Sequence, residues 1–381
     1  MLFSFQNPTA IFFGRGQISA ITDQIPENAR VLLAYGGGSI KKNGVYNQVT
    51  KALHKYQWQE FSGIEPNPHY ETLLEAIALV KEEKLDYILA VGGGSVVDGC
   101  KLIAAACCYE GEPWDIVTRK TPVEKALPLG CILTLPATGS ESNGNSVVTK
   151  MATREKRAFG SPLVRPQFAV LDPDTMKTLP ERQLRNGIVD AFVHICEQYL
   201  TYPVEAMVHD GYAETLLKTL IKLANSFDQQ DDEWRENLML AANQALNGFL
   251  GAGVPTDWAT HGIGHEITAY YGTDHAATLS IVQPSLLRAQ LKQKRGKLRQ
   301  MGRNVFGLHE NPFLAEQTID AIENFYNKLH MPTRLSHIGV GNNEQLKPFL
   351  KTIDSRDYLH DMGEHANISQ KEIKEILVHA L

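Results

Sequence analysis

The sequence predicts an α/β domain on a mostly parallel, helix-flanked sheet over residues 1–180, followed by an all-helical domain over 181–381. Three observations carry this. Up to about Asp172, short apolar runs alternate with amphipathic helical stretches, as βα units do. From about Leu184, strand signals give way to long 3.6-residue periodicities. Between them, 172–180 holds Pro173 and Pro180, the punctuation of a connection. At 381 residues the chain also exceeds the size at which one core keeps growing.

Taken in order, segments 3–5 (FSF) and 10–13 (AIFF) are expected to pair as a hairpin at the sheet edge. A strand follows at 31–35 (VLLAY), then helices near 44–57 and 70–84, a strand at 87–91 (YILAV) and a helix from about Asp98. Runs 131–135 (CILTL) and 168–171 (FAVL) add strands. Helices are expected at 184–200, 204–226, 233–250, 257–270, 276–292, 294–306 and 313–329. In such sheets ligands bind where strands end and helices begin, and clefts between domains are common active sites. The active site is therefore expected in the cleft between the halves.

Composition narrows the function. A net charge of −6 without a long Lys/Arg block excludes the concentrated basic face that nucleic-acid backbone binding needs. The start, MLFSFQNP, lacks the basic stretch and apolar core of a secretory signal, and no apolar run approaches a membrane span. A cytoplasmic enzyme without membrane or nucleic-acid partners is expected. Five cysteines (Cys100, Cys107, Cys108, Cys131, Cys196) form an odd set with no CxxC, which predicts reduced, mostly buried thiols.

Two glycine loops follow strands directly: Gly36, Gly37, Gly38 and Ser39 after 31–35, and Gly92, Gly93, Gly94 and Ser95 after 87–91. Each lets the backbone approach an anion while the next helix offers unpaired N–H groups. Neither is a strict GxGxxG, because Lys41 and Val97 occupy the last glycine positions. A third candidate, 134–141 (TLPATGSE), places the Thr134 and Thr138 hydroxyls and Gly139 near a cofactor. After the first loop there is no Asp or Glu where a ribose diol is usually gripped, whereas Ser39, Lys41 and Lys42 can receive a 2′-phosphate. NADP(H) is therefore favoured over NAD(H). Asp98 and Lys156 are further candidates near the diphosphate and nicotinamide ends.

In the second half, Asp190, His194, His261 and His275 offer one carboxylate and three imidazoles, a set suited to Fe2+ or Zn2+ with an open position for substrate. Asp190 and His194 stand four apart in the apolar run 187–196, so a helix puts both on one face. His261 and His265 repeat that spacing, and Gly272 marks a break before a new helix carrying His275. Spacing alone leaves open which of His261 and His265 is the ligand. The pair also has the HExxH spacing of metalloproteases, but residue 262 is Gly, so the general base of proteolysis is missing.

The two glycine loops, segment 134–141, the Asp190/His194 pair and His261-x3-His265-x9-His275 together resemble the iron-containing, or group III, alcohol dehydrogenases along nearly the whole chain. Within that family the likeness is strongest to NADPH-dependent aldehyde reductases and butanol dehydrogenases. The resemblance implies a Rossmann-like domain followed by a helical one, as in dehydroquinate synthase. It implies Asp190, His194, His261 and His275 as metal ligands, with His265 near the nicotinamide and able to assist proton traffic. It places Gly36–Ser39 on the adenosine side of the cofactor, Gly92–Ser95 with Asp98 on the diphosphate side, and Lys156 near the nicotinamide ribose. A homodimer formed by edge-strand pairing near the N-terminus is a further implication.

The expected reaction is reversible hydride transfer between NADP(H) and an aldehyde or primary alcohol, with the metal as Lewis acid. Glycerol dehydrogenases and dehydroquinate synthases share the layout and would use NAD with polyol or phosphate-bearing substrates. A nucleotide-binding regulator without turnover is the reading from another class. A metal hydrolase leaves both glycine loops unexplained.

Overall fold

A computed structural model describes residues 1–381. The chain forms two compact units, one of Gln6–Leu184 with Gln230–Asn247, the other of Met1–Phe5, Arg185–Gln229 and Gly248–Leu381.

The first unit is α/β. Its strands are β1 (Ala10–Phe13), β2 (Arg30–Tyr35), β3 (Gln57–Phe61), β4 (Tyr87–Gly93), β5 (Leu129–Leu135), β6 (Asn145–Lys150), β7 (Glu155–Gly160) and β8 (Phe168–Leu171). Six form one sheet in the order β1-β8-β5-β4-β2-β3, with every pairing parallel. The remaining two, β6 and β7, make a separate antiparallel ribbon. Helices α1 (Ser39–Lys42), α2 (Val45–Ala52), α3 (Tyr70–Glu82), α4 (Gly94–Ala106) and α5 (Pro113–Val117) lie between the strands.

Side chains alternate across the sheet with period two. Val31, Leu33, Tyr35, Leu89 and Val91 enter a core shared with α1 and α2. Leu32, Ala34, Ile88 and Ala90 enter the other, with α3 and α4. Both faces are covered, which is why the central strands read as unbroken apolar runs. The connections turn back between β2 and β4, so the loops at the carboxyl ends of these two neighbours flank the switch point, where such sheets bind ligands.

The predicted N-terminal hairpin does not form. Ala10 pairs with Phe168 and Phe13 with Leu171 in parallel register, while segment 3–5 carries no strand. The aromatic rings of that segment have other partners, Phe3 edge-on to His209 at 5.8 Å and Phe5 edge-on to Phe249 at 5.5 Å. Sequence reading also passed over β3, whose polar residues suit an edge, and the β6–β7 ribbon.

Helices dominate the rest: α6 (Glu181–Tyr199), α7 (Met207–Asn225), α8 (Asp232–Ala245), α9 (Ala259–Tyr271), α10 (His275–Ala289), α11 (Leu291–Asn304), α12 (Leu314–Lys328), α13 (Asn343–Asp354) and α14 (Gln370–His379). The α8 residues fall within the α/β unit. In the helical unit α6 is buried on nearly every side, with Ile188, Val189, Ala191, Phe192, Val193 and Ile195 fully inaccessible. Helix α9 ends at Gly272 in the left-handed conformation, whose N–H reaches the Thr268 carbonyl at 2.9 Å. This Gly cap is the expected break, and α10 opens on His275. Ile263 and Ile267 of α9 share a core with Ile281 and Val282 of α10. No helix is long and apolar enough to cross a membrane.

Candidate metal centre and glycine loops

Within the helical unit, three imidazoles converge on one carboxylate oxygen. Asp190 Oδ1 lies 3.6 Å from His194 Nε2, 3.6 Å from His261 Nε2 and 3.7 Å from His275 Nε2. Helix α6 supplies Asp190 and His194 one turn apart, α9 supplies His261, and the first residue of α10 is His275. Asp190, His261 and His275 form the tightest group, with candidate ligand atoms all within 4.8 Å of one another. The His194 ring stacks on His261 at 4.6 Å and 17°. Of the i,i+4 pair in α9, His261 faces Asp190, while the His265 ring stands beside His261 and His275 at centroid distances of 6.2 and 5.2 Å.

The chemistry of this set fits a divalent cation. Asp190, His194 and His261 are buried, in a helical environment where unpaired polar groups are expensive. His261 Nε2 is buried and makes no hydrogen bond; its 3.6 Å approach to Asp190 is too long for one. A buried, unbonded ring nitrogen turned toward a carboxylate and two other imidazoles is the arrangement of a cation site. Burial works to lower the His261 pKa, but the Glu197 and Asp190 carboxylates outweigh it and push it up to about 9. The cluster thus favours a cation at this spot, and a metal ion can take the proton's place.

Glu197, which sequence reading missed, completes the environment. It lies three residues beyond His194 and seven beyond Asp190, so it continues their face of α6. Its Oε1 accepts the Thr260 N–H at 2.6 Å and the His261 N–H at 3.3 Å, and its Oε2 accepts from His261 Nδ1. The Asp257 side chain accepts the Ala259 N–H at 2.8 Å, so the orphan donors that open α9 are met by carboxylates. A carboxylate three residues past His194 and seven past Asp190, just beyond the apolar run, was the available signal.

In the α/β unit, Gly36–Gly38 lead from β2 into α1, which opens on Ser39, while Gly92–Ser95 span the direct junction where β4 ends at Gly93 and α4 begins at Gly94. Gly38 sits in the left-handed region (φ 86°) at the α1 N-terminus. At Gly94 a Cβ would run into the Thr138 side chain, so the second and third loops are in close contact. Ser95 Oγ accepts the Asn67 N–H at 3.1 Å, and Lys156, buried on β7, donates to Asn67 Oδ1 at 2.8 Å. The ribbon is thereby tied to the second loop. Thr134 lies buried in β5, and the Thr138 hydroxyl accepts the Ser140 N–H at 3.2 Å.

Asp98 is buried, with its oxygens accepting from Ser140 Oγ (2.5 Å) and the Val147 N–H (3.0 Å). It orders the third loop and the strand after it rather than presenting a bare carboxylate. Lys101, fully buried, donates to Ser140 Oγ, Asn143 Oδ1 and the Asn145 carbonyl at 2.7, 3.1 and 2.6 Å, filling all three ammonium donors. Asn243 of α8 donates to Glu141 at 2.7 Å. Lys41 is exposed, with Nζ 3.4 Å from Glu60 and above the Tyr46 ring at 4.7 Å.

Glycine loops at the switch point of a parallel sheet, and an Asp/His cluster suited to a divalent cation, define a metal-dependent dinucleotide oxidoreductase. The chain belongs to the iron-containing alcohol dehydrogenase family: that family's model matches residues 8–173, and the model of its C-terminal region matches 185–381. Relatives include the NADPH-dependent aldehyde reductase YqhD of Escherichia coli, 48% identical over 96% of each chain. A protein named probable NADH-dependent butanol dehydrogenase 1 of Bacillus subtilis is 39% identical over 98% of each. The crystal structure of E. coli YqhD superimposes with a TM-score of 0.96 at 46% identity, covering 100% of this chain and 99% of that one.

Proposed function

We propose that this protein reversibly reduces aldehydes to primary alcohols with NADPH, at a centre where Asp190, His194, His261 and His275 hold one divalent cation, Fe2+ or Zn2+. The observation that carries the reading is the aim of three Nε2 atoms at Asp190 Oδ1, in a chain 48% identical to a relative named for this activity. When bound, the cation supplies Lewis acidity to the carbonyl oxygen, where negative charge builds as hydride arrives.

The chain's own residues bind and orient. Gly36–Ser39 take the adenosine side of the dinucleotide, with Lys41 at the 2′-phosphate, and Gly92–Ser95 take the diphosphate through backbone N–H groups and the α4 terminus. Thr134, Thr138 and Lys156 line the path toward the nicotinamide ribose, and Asp98 acts by setting the third loop. With a divalent ion bound, Asp190, Glu197 and three neutral imidazoles would sum to about zero charge, so an alkoxide forming there would not meet a net negative centre. His265 passes a proton from its ring to the product oxygen. The reading requires the nicotinamide to meet the aldehyde beside the cation.

The test is oxidation of NADPH by a panel of short-chain aldehydes, before and after metal removal and reconstitution. Metal-dependent consumption of NADPH, much slower with NADH, is expected; no consumption with any aldehyde at full metal content overturns the reading. We also propose a cytoplasmic homodimer formed through β1, an edge strand with Ile11 and Phe13 exposed. Light scattering showing a stable monomer removes that part alone.

A further inference from the structure

Glu197 accounts for a feature of the centre that the ligands alone do not: which ring nitrogen of His261 faces the cation. An imidazole ligates only through a nitrogen bearing a lone pair, so the proton must sit on the other nitrogen. His261 Nδ1 is in contact with Glu197 Oε2, while Nε2 faces Asp190 Oδ1 at 3.6 Å. The other Glu197 oxygen is occupied by the Thr260 and His261 backbone N–H groups. Glu197 is buried, so this orientation has no competition from water. Its carbonyl also accepts the Asp257 N–H at 2.9 Å, which fixes the turn before α9 to the same residue.

We infer that Glu197 is the positioning residue of the centre: by accepting the Nδ1 proton it commits His261 Nε2 to the cation and so sets the affinity of the site. This rests on the reading that the Asp/His cluster holds a divalent ion. The backbone donors make the role specific to a carboxylate. In a Glu197→Gln variant the amide oxygen is claimed by the Thr260 and His261 N–H groups, which turns the amide NH2 toward Nδ1. Nδ1 must then accept, the ring proton moves to Nε2, and ligation fails. Flipping the amide instead sets NH2 against two N–H donors and breaks the start of α9.

The experiment is Zn2+ binding to the metal-stripped full-length protein, measured by competition with a chromophoric chelator, for wild type, Glu197→Gln and Glu197→Ala. The inference expects zinc binding roughly 10–100-fold weaker in Glu197→Gln, no tighter than in Glu197→Ala, with the thermal midpoint of the stripped protein close to wild type. Wild-type affinity in Glu197→Gln overturns it, since a residue that merely capped α9 would keep its two backbone bonds as Gln. A wild type that takes up no zinc overturns the metal reading itself and the inference with it. Should the variants fail to fold, 15N-histidine NMR of the zinc-loaded wild type decides: His261 protonated at Nδ1 supports the inference, and protonation at Nε2 overturns it.

Discussion

Lys41 Nζ lies 3.4 Å from a Glu60 carboxylate oxygen, with Glu60 also accepting from the Tyr46 and Tyr35 hydroxyls at 2.9 and 3.1 Å. The cation proposed to meet a 2′-phosphate is thus shared with a carboxylate that would repel one. Glu60→Gln is expected to tighten NADPH binding several-fold and leave NADH nearly unchanged, and Lys41→Ala to weaken NADPH roughly tenfold. Fluorescence titration of the two cofactors reads both; equal changes for NADPH and NADH would contradict the assignment.

Asp190 supplies the oxygen on which the imidazoles converge. Asp190→Ala is expected to lose stoichiometric metal and NADPH-linked turnover together, by at least 10²-fold in kcat/KM. Elemental analysis of the purified variant checks the first half, and retained metal would speak against it.

The His265 ring stands beside those of His261 and His275. His265→Ala should keep its metal while kcat falls roughly 10²-fold, the usual scale for losing a positioned proton donor. Loss of metal instead would make it a ligand.

How far the sequence reached is clearest around these residues. That Asp190 and His194 share one face was legible because they stand four apart in an apolar helix. The choice between His261 and His265 was not, since both suit the same helix and only the crossing of α9 against α6 separates them. Glu197 escaped notice because Glu-Gln-Tyr near the end of an apolar run reads like a solvated helix terminus. The switch-point loops followed from strand-glycine order alone. Glu60 did not, because the partner of Lys41 comes from the neighbouring strand β3 and not from the loop that carries the lysine.

Lys101 ties the third loop of the α/β unit to α4, and burial pushes its ammonium down to about 8 against the pull of Asp98. The unfolded chain holds that proton to about pH 10.4. Below about pH 8 both states are protonated and the burial cost is fully present; between about pH 8 and 10 the folded state has released the proton, so this group's contribution to stability rises with pH. Melting of wild type and Lys101→Met across that window should show the wild type gaining relative to the variant. A constant difference would contradict the depressed value.

Gly94→Ala forces a Cβ against Thr138. Displacing the third loop is expected to cost about 1–3 kcal/mol in stability and to weaken both cofactors alike, since the clash lies on the proposed diphosphate side. Cofactor titration with a thermal melt checks it; wild-type behaviour in both would show that the loop yields freely.

Four side chains from three helices, α6, α9 and α10, are proposed to close around one cation. Anomalous diffraction from metal-loaded crystals tests it most directly. One strong peak per chain is expected, about 2.0–2.2 Å from an Asp190 oxygen and from the Nε2 atoms of His194, His261 and His275. A peak elsewhere, or one coordinated by His265 in place of any of the three, would contradict it.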